Sequence, residues 1–275
     1  MPSCRVDNID KQATHESAED FPWWLLVTVL IGLWLGYRII SDELYSEVFA
    51  ILVKGIGVTA FVTVTAFSLA SMLGLLLAMA ALSPYLLLRQ LARFYIEIMR
   101  GIPMLVLLFY IAFVGAPLLV EALNVVLAPV LEEPIRTRDI SLMWRAILAL
   151  TLGYSAFIAE VFRAGIQAVG PGQKEAAQSL GLSDWSRFRF VIFPQAIRTI
   201  LPPLGNDFIA MIKDSALVSV LGVADVTQLG KIYAAGSFRF METYNVVAYV
   251  YLITTIVLSL LLRRFERNLR SRHEG

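Results

Sequence analysis

The sequence predicts an all-α protein, a polytopic membrane helical bundle of about six transmembrane helices. Of its 275 residues, 58% are hydrophobic and only 16% are charged, and the mean hydropathy is +0.70. The charges are too few to cover a soluble globule of this size, and the apolar residues occur in several long runs. These observations favour a membrane protein over any soluble class.

The first predicted span follows a polar tail. Residues 1–22 contain five acidic and two basic residues and no cleavage pattern of a secretory signal, so we expect a cytoplasmic N-terminal tail. An additional first transmembrane helix is predicted over 23–40, with Trp23 and Arg38 as interface anchors. Residues 41–265 are then predicted to form the core, with five further transmembrane helices.

The core begins with a mixed segment. Residues 41–56 alternate charged and apolar positions at helical spacing, which predicts a short separate helix at the membrane surface. A second span is predicted over 58–82, which contains no charge. A basic connection over 83–101 leads to a third span at about 102–120, and a longer linker covers 121–141.

Three further spans are predicted, at about 142–164, 199–224 and 244–262, followed by a basic cytoplasmic tail over 266–275. With six spans, both termini and the loop after the fourth span lie on one side. That side collects fifteen of the 23 lysines and arginines, against seven on the other side. Since cytoplasmic loops are enriched in lysine and arginine, we expect both termini and this loop to be cytoplasmic.

Cysteine and histidine usage excludes several kinds of site. The single Cys4 argues against disulfides and zinc clusters, and His15 and His273 both lie in tails. We therefore expect no metal site, no cofactor-binding site and no catalytic residues in the spans.

One polar segment, residues 170–195, separates the fourth and fifth spans. Glu175, Ala176 and Ala177 are good helix formers, and Gly181 is placed to end their helix in a left-handed conformation. Ser183 is placed to cap a second short helix that carries Trp185 and ends at about Phe190. Two short helices that expose apolar groups outside the membrane indicate either an ordinary interfacial loop or a docking surface for a partner.

The spacing in this segment resembles that of a known family. The segment contains Glu175-Ala176-Ala177, then three residues and Gly181, then nine residues and Val191-x-Phe193-Pro194. This pattern is similar to the EAA loop of ATP-binding-cassette (ABC) importer permeases. Val191 and Phe193 depart conservatively from the usual Ile-x-Leu-Pro ending.

Further residues resemble the polar amino acid uptake permeases, the histidine, glutamate, glutamine, arginine and opine group. They are Tyr154 to Ile166, Gly172-Gln173, Pro194-Gln195-Ala196, Lys213 to Leu217 and Glu97 to Pro103. The resemblance covers about residues 55–265. The first span and the 121–141 linker lie outside the shared five-helix core.

The resemblance implies a type I ABC importer permease fold and a set of partners. These are a cytoplasmic ABC ATPase dimer that binds ATP, a second permease chain (identical or a paralogue), an extracytoplasmic amino acid binding protein and the amino acid itself. The ATPase would bind the EAA loop, hereafter the coupling loop (residues 170–195). Its contact residues would be Glu175, Ala176, Ala177, Gly181, Trp185 and Pro194. The sequence contains no G-x-x-x-x-G-K-[ST] phosphate loop, so we expect ATP to bind the partner subunit.

Charges at membrane depth are costly and therefore predict a polar path or a structural ion pair. Asn206, Ala210, Lys213, Asp214 and Leu217 share one predicted helical face, our candidate for the substrate path. Glu160, three residues before Arg163, is a further candidate, although pairs at this spacing, Glu160–Arg163 and Glu97–Arg100, are more often ion pairs than ligand sites.

Two alternatives remain open at this point. A permease of the same architecture for another small polar solute would share the coupling loop. An intramembrane enzyme would require catalytic groups at membrane depth, of which the spans offer only Lys213 and Asp214.

Overall fold

The computed structural model describes residues 23–127, 129 and 133–271. The predicted tail over 1–22, with Cys4 and His15, lies outside the described residues, as do residues 272–275 with His273. Within the described ranges the chain forms helices and no strand, in agreement with the predicted all-α bundle.

The helices follow one another with short connections. They are α1 (Trp23–Ser41), α2 (Glu43–Ala81), α3 (Leu86–Gly101), α4 (Met104–Tyr110), α5 (Ala116–Leu127), α6 (Leu142–Gln167), α7 (Pro171–Ser179), α8 (Asp184–Arg187), α9 (Phe193–Asp214), α10 (Val226–Ser237) and α11 (Phe240–Ser271). A π-helical turn, Ile111–Gly115, joins α4 to α5, and a second, Phe188–Ile192, joins α8 to α9.

The prediction of a separate surface helix over 41–56 is wrong, because α2 is one continuous helix of 39 residues. Asp42 caps its start by accepting a hydrogen bond from the Leu44 N–H, so the helix begins at the polar segment itself. Gly55 does not interrupt it. This glycine is buried, and a Cβ there would lie 2.6 Å from the Val226 nitrogen, so its role is to admit another backbone.

The core lies where α2 packs on α6. Small residues recur every fourth position of α2, which allows close approach of the two helices. They are Ala66, Ala70, Gly74 and Ala78, all buried. A Cβ at Gly74 would lie 3.0 Å from the carbonyl oxygen of Ser155 on α6, which shows how near the two backbones are.

The third predicted span is longer than expected, and the linker is shorter. The helical segment from Met104 continues through the π-helical turn to Leu127. Asn124 then holds the returning chain, because its amide donates to the Ile135 carbonyl and accepts from the Ile135 N–H, each at 2.8 Å. Arg145, at the start of α6, donates to the backbone carbonyls of Ala112, Thr137 and Ile140. The linker is thus tied to the bundle.

Four described helices are long and apolar enough to cross a membrane, and a shorter apolar helix covers Leu26–Ser41. The four are Glu43–Ala81, Met104–Leu127, Leu142–Gln167 and Phe240–Arg267. The predicted fifth span is not among them. Its helix α9 contains Pro202 and Pro203 and several polar residues, and it ends at Asp214 in a 3-10 turn to Leu221.

The sixth predicted span also differs from the structure. Helix α11 begins four residues earlier than expected and continues to Ser271, into the predicted basic tail. The region before it, for which the sequence predicts no element, contains the short helix α10 of 12 residues. The helix count remains roughly consistent with about six spans.

We predict that Gly55→Ala destabilises the fold and that Gly57→Ala does not. The new methyl at position 55 would overlap the backbone of residues 225 and 226, and overpacking of this kind costs about 1–3 kcal/mol. No atom lies within 4 Å of a Cβ at Gly57, and alanine is the better helix former there. Thermal unfolding in detergent should show a midpoint lowered by several degrees for Gly55→Ala alone. Equal midpoints for the two variants would contradict the close approach.

Candidate functional site

The coupling loop begins with α7, which ends in a tight left-handed turn. Gly181 has φ +72°, as predicted. The Gly181 N–H donates to the Gln178 carbonyl at 2.9 Å and the Leu182 N–H donates to the Ala177 carbonyl at 3.3 Å. This pair of bonds is a Schellman motif, which satisfies the last carbonyls of the helix. Since no atom lies within 4 Å of a Cβ at Gly181, the glycine is required by backbone conformation alone.

The second short helix begins where the sequence predicts but does not end there. The Ser183 hydroxyl accepts a hydrogen bond from the Ser186 N–H at 3.3 Å, and Arg187 pairs with Asp184 at 2.6 Å. Instead of stopping near Phe190, the chain continues through the π-helical turn directly into α9. Pro194 is the second residue of α9 and has no N–H to donate to the π-helical turn that precedes it.

An apolar cluster attaches the coupling loop to the bundle. Its buried members are Val169, Ile192, Ala196 and Ile200. A Cβ at Gly165 of α6 would lie 2.3 Å from an Ile200 side-chain carbon, so α6 and α9 are in close contact at this level. A displacement of the loop would therefore be passed to both helices.

The outer side of the coupling loop is exposed and partly apolar. Leu180 is 80%, Trp185 66% and Phe190 68% exposed. Of the six predicted coupling residues, Glu175, Ala176, Gly181 and Trp185 are exposed, whereas Ala177 is buried and Pro194 is half-buried.

The predicted polar face of α9 divides into two. Asn206 and Lys213, seven residues apart, are both exposed. Asp214 is half-buried, and its Oδ2 accepts a hydrogen bond from the Tyr154 hydroxyl of α6 at 2.8 Å. Although Lys213 and Asp214 are neighbours, they form no ion pair among the described residues, because consecutive helical positions point about 100° apart.

Two further residues lie with Asp214 but were not predicted as site residues from the sequence. They are Tyr154 and Asp207. Asp207 lies two helical turns before Asp214 and so shares its side of α9. Its Oδ2 is buried and has no hydrogen-bond partner within the described part of the chain. The spacing of seven between the two aspartates was the available signal.

Glu160 is engaged in an ion pair, as its spacing predicts. Arg163 donates to both of its carboxylate oxygens and also to Gln167 Oε1 at 2.6 Å. The expected pair Glu97–Arg100 is not formed among the described residues. The Arg100 guanidinium instead lies over the Phe157 ring, 5.7 Å from its centroid. A ligand that binds the Glu160 carboxylate would therefore also contact Arg163.

A second polar group, also missed, is structural. Asp225 is fully buried and caps α10 by accepting from the Gln228 N–H at 2.8 Å, while the Tyr251 hydroxyl donates to its other oxygen at 3.2 Å. The Thr59 hydroxyl accepts a hydrogen bond from the Val226 N–H at 3.4 Å. These bonds join α2, α10 and α11. Across the described ranges, no group of three or more His, Cys, Asp and Glu residues could hold a metal ion.

Comparison with known proteins assigns the chain to a family. Residues 70–274 match the model of the binding-protein-dependent transport system inner membrane component. The chain is 36% identical over 228 residues to the probable amino-acid permease protein YxeN of Bacillus subtilis, covering 83% of this chain and 95% of the relative. It is 34% identical over 220 residues to the glutamine transport system permease protein GlnP of Escherichia coli, covering 80% and 93% respectively.

A solved structure agrees. The crystal structure of an amino acid ABC transporter with histidines contains a chain that matches with a TM-score of 0.69 and 37% identity, covering 84% of this chain and 98% of that one. The chain is therefore a member of the binding-protein-dependent transport system inner membrane component family.

Proposed function

We propose that this chain is the membrane-spanning permease subunit of an ATP-driven amino acid importer. The coupling loop carries the proposal, because it presents Leu180, Trp185 and Phe190 to a partner outside the membrane while its inner side is packed on α6 and α9. The family match and the relatives named as amino acid permeases support the substrate class. A permease for another small polar solute is the alternative.

The proposed partner of the coupling loop is a cytoplasmic ABC ATPase dimer. Exposed aromatic side chains surrounded by polar residues are typical of docking sites, and Glu175 and Arg189 supply polar groups at the rim. ATP would bind that partner, and this chain would hold no cofactor of its own. The coupling loop would be cytoplasmic, on the same side of the inner membrane as both termini, because that side carries most of the lysines and arginines.

The mechanism follows from the connection between the loop and the bundle. When two ATPases close on ATP, the docked loops of two permease chains would move together. Because α8, the π-helical turn and α9 form one continuous helical path, the movement would tilt α9 and open the path on alternate sides. The second permease chain is an identical copy or a paralogue, and an extracytoplasmic binding protein would deliver the amino acid.

The substrate path is proposed to follow the exposed side of α9. Asn206 and Lys213 face outward from the single chain, where a second permease chain would enclose them. Lys213 could meet the substrate carboxylate. Asp214 and Glu160 remain candidates for the ammonium group, but Asp214 is held by Tyr154 and Glu160 by Arg163, so each must exchange a partner to bind it.

We predict that Gly181→Val uncouples ATP hydrolysis from transport, whereas Gly181→Asn does not. A β-branched residue at φ +72° is strained, and left-handed backbone costs roughly 1–2 kcal/mol for residues other than glycine and asparagine. Substrate-stimulated ATPase activity of the reconstituted complex should fall about tenfold for Gly181→Val, with membrane insertion unchanged.

Gly181→Asn is the matched control, because asparagine adopts the left-handed conformation and nothing occupies the space around the side chain. Full stimulation by both variants would show that the turn does not determine docking. Equal loss in both would indicate that the side chain, and not the backbone, is responsible.

A further prediction separates binding from structure on α9. Lys213→Ala should abolish uptake and leave the assembled complex as stable as wild type, because Lys213 is exposed and forms no ion pair with any described residue. Tyr154→Phe removes only the hydroxyl that holds Asp214 and should lower stability by about 1 kcal/mol. Uptake and thermal unfolding would be measured on the same preparations. Normal uptake by Lys213→Ala would remove this residue from the substrate path.

A further inference from the structure

Helix α3 has three distinct sides, and only one is buried against the bundle. Ala92, Ile96, Tyr95 and Met99 face inward, and the Tyr95 hydroxyl donates to the Leu152 carbonyl of α6 at 3.0 Å. A second side is apolar and exposed, with Leu87, Leu91, Phe94 and Ile98 at spacings of four, three and four. The third side carries Arg89, Arg93, Glu97 and Arg100 at spacings of four, four and three.

The position of α3 in the bundle indicates what its two other sides contact. The helix connects the end of α2 to the start of the next span at Met104, so it lies at the end of the bundle that carries the coupling loop. At this level an exposed apolar side contacts the acyl chains. The charged side then lies where phospholipid headgroups are.

The charges on that side are unbalanced. Arg163 is neutralised by Glu160, and Arg93 and Arg100 form no ion pair with any carboxylate among the described residues. Arg89 makes one bond, to the Ser83 carbonyl at 3.3 Å. Three arginines against Glu97 leave the side with a net charge of +2.

The charged side also borders a cavity. A cleft of about 370 Å³ is lined by Ala81 of α2, Arg93 and Glu97 of α3, and Glu160 and Arg163 of α6. Its lining has two arginines and two glutamates, and because Arg163 is paired with Glu160, Arg93 is the arginine there without an ion pair among the described residues. Guanidinium groups bind phosphate with paired hydrogen bonds, so Arg93 can bind a lipid phosphate group at the edge of this cleft.

We propose that α3 binds an anionic phospholipid, with its acyl chains along Leu87, Leu91 and Phe94 and its phosphate at Arg89 and Arg93. The apolar and cationic sides are adjacent on one helix and match the two parts of such a lipid. The site is separate from the coupling loop and from the polar residues of α9. It would allow the leaflet composition to stabilise the end of the bundle where the ATPase docks.

The test uses the full-length chain purified with its subunits and reconstituted in nanodiscs containing equal parts of phosphatidylglycerol and phosphatidylcholine. Native mass spectrometry then counts the lipids that remain bound. Each basic residue near the surface changes the preference for anionic lipid about fivefold, so R89Q/R93Q should reduce the preference for phosphatidylglycerol roughly 25-fold. R89K/R93K keeps the charge and should retain most of the preference.

R136Q/R138Q is the matched control, because both arginines are exposed and lie at the opposite end of α6. It should leave lipid retention unchanged, and thermal unfolding checks that each variant is folded. An unchanged phosphatidylglycerol preference in R89Q/R93Q would overturn the proposal. So would efficient disulfide cross-linking of F94C, in a Cys4→Ser background, to a second permease chain, because that chain would then cover the side assigned to lipid.

Discussion

The close packing of α2 against α6 determines how the rest of the chain is arranged. Inside a bilayer apolar surface alone does not hold helices together, and they associate where small residues let backbones approach. Gly74 and the alanines around it supply that approach along α2. Because α2 ends beside Arg163 and α6 leads into the coupling loop, this contact sets the position of the loop relative to the membrane.

Polar groups then fix the elements that pack less tightly. Arg145 satisfies three backbone carbonyls where the linker returns to the bundle, and Asp225 caps α10 in the interior. Buried backbone groups without partners are costly, more so away from water. These side chains therefore account for the irregular segments between the long helices, which have no hydrophobic pattern of their own.

Local signals were sufficient for much of the coupling loop, because helix caps depend on nearby residues. Gly181 and Ser183 act as predicted, since a left-handed turn and a hydroxyl cap are both completed within a few residues. The continuity of α2 was not predictable, because the charged positions over 41–56 indicate a separate surface helix and the contact of Gly55 with residues 225 and 226 is tertiary. The spacing of Asn206, Lys213 and Asp214 puts them on one predicted face of α9. The contact of Asp214 with Tyr154 is again tertiary, so only the packing of α6 on α9 shows it. The continuation of α8 into α9 requires π-helical geometry that hydrophobic periodicity does not report.

We propose that the exposed surface of the coupling loop is the docking site of a cytoplasmic ATPase. Site-specific cross-linking tests it directly, with Trp185 replaced by a photoreactive residue in the intact complex in membranes. Trp185 is 66% exposed and belongs to that surface. We expect the cross-linked product to be an ATP-binding subunit. Cross-links only to lipid, or to an extracytoplasmic protein, would contradict both the docking role and the orientation of the chain.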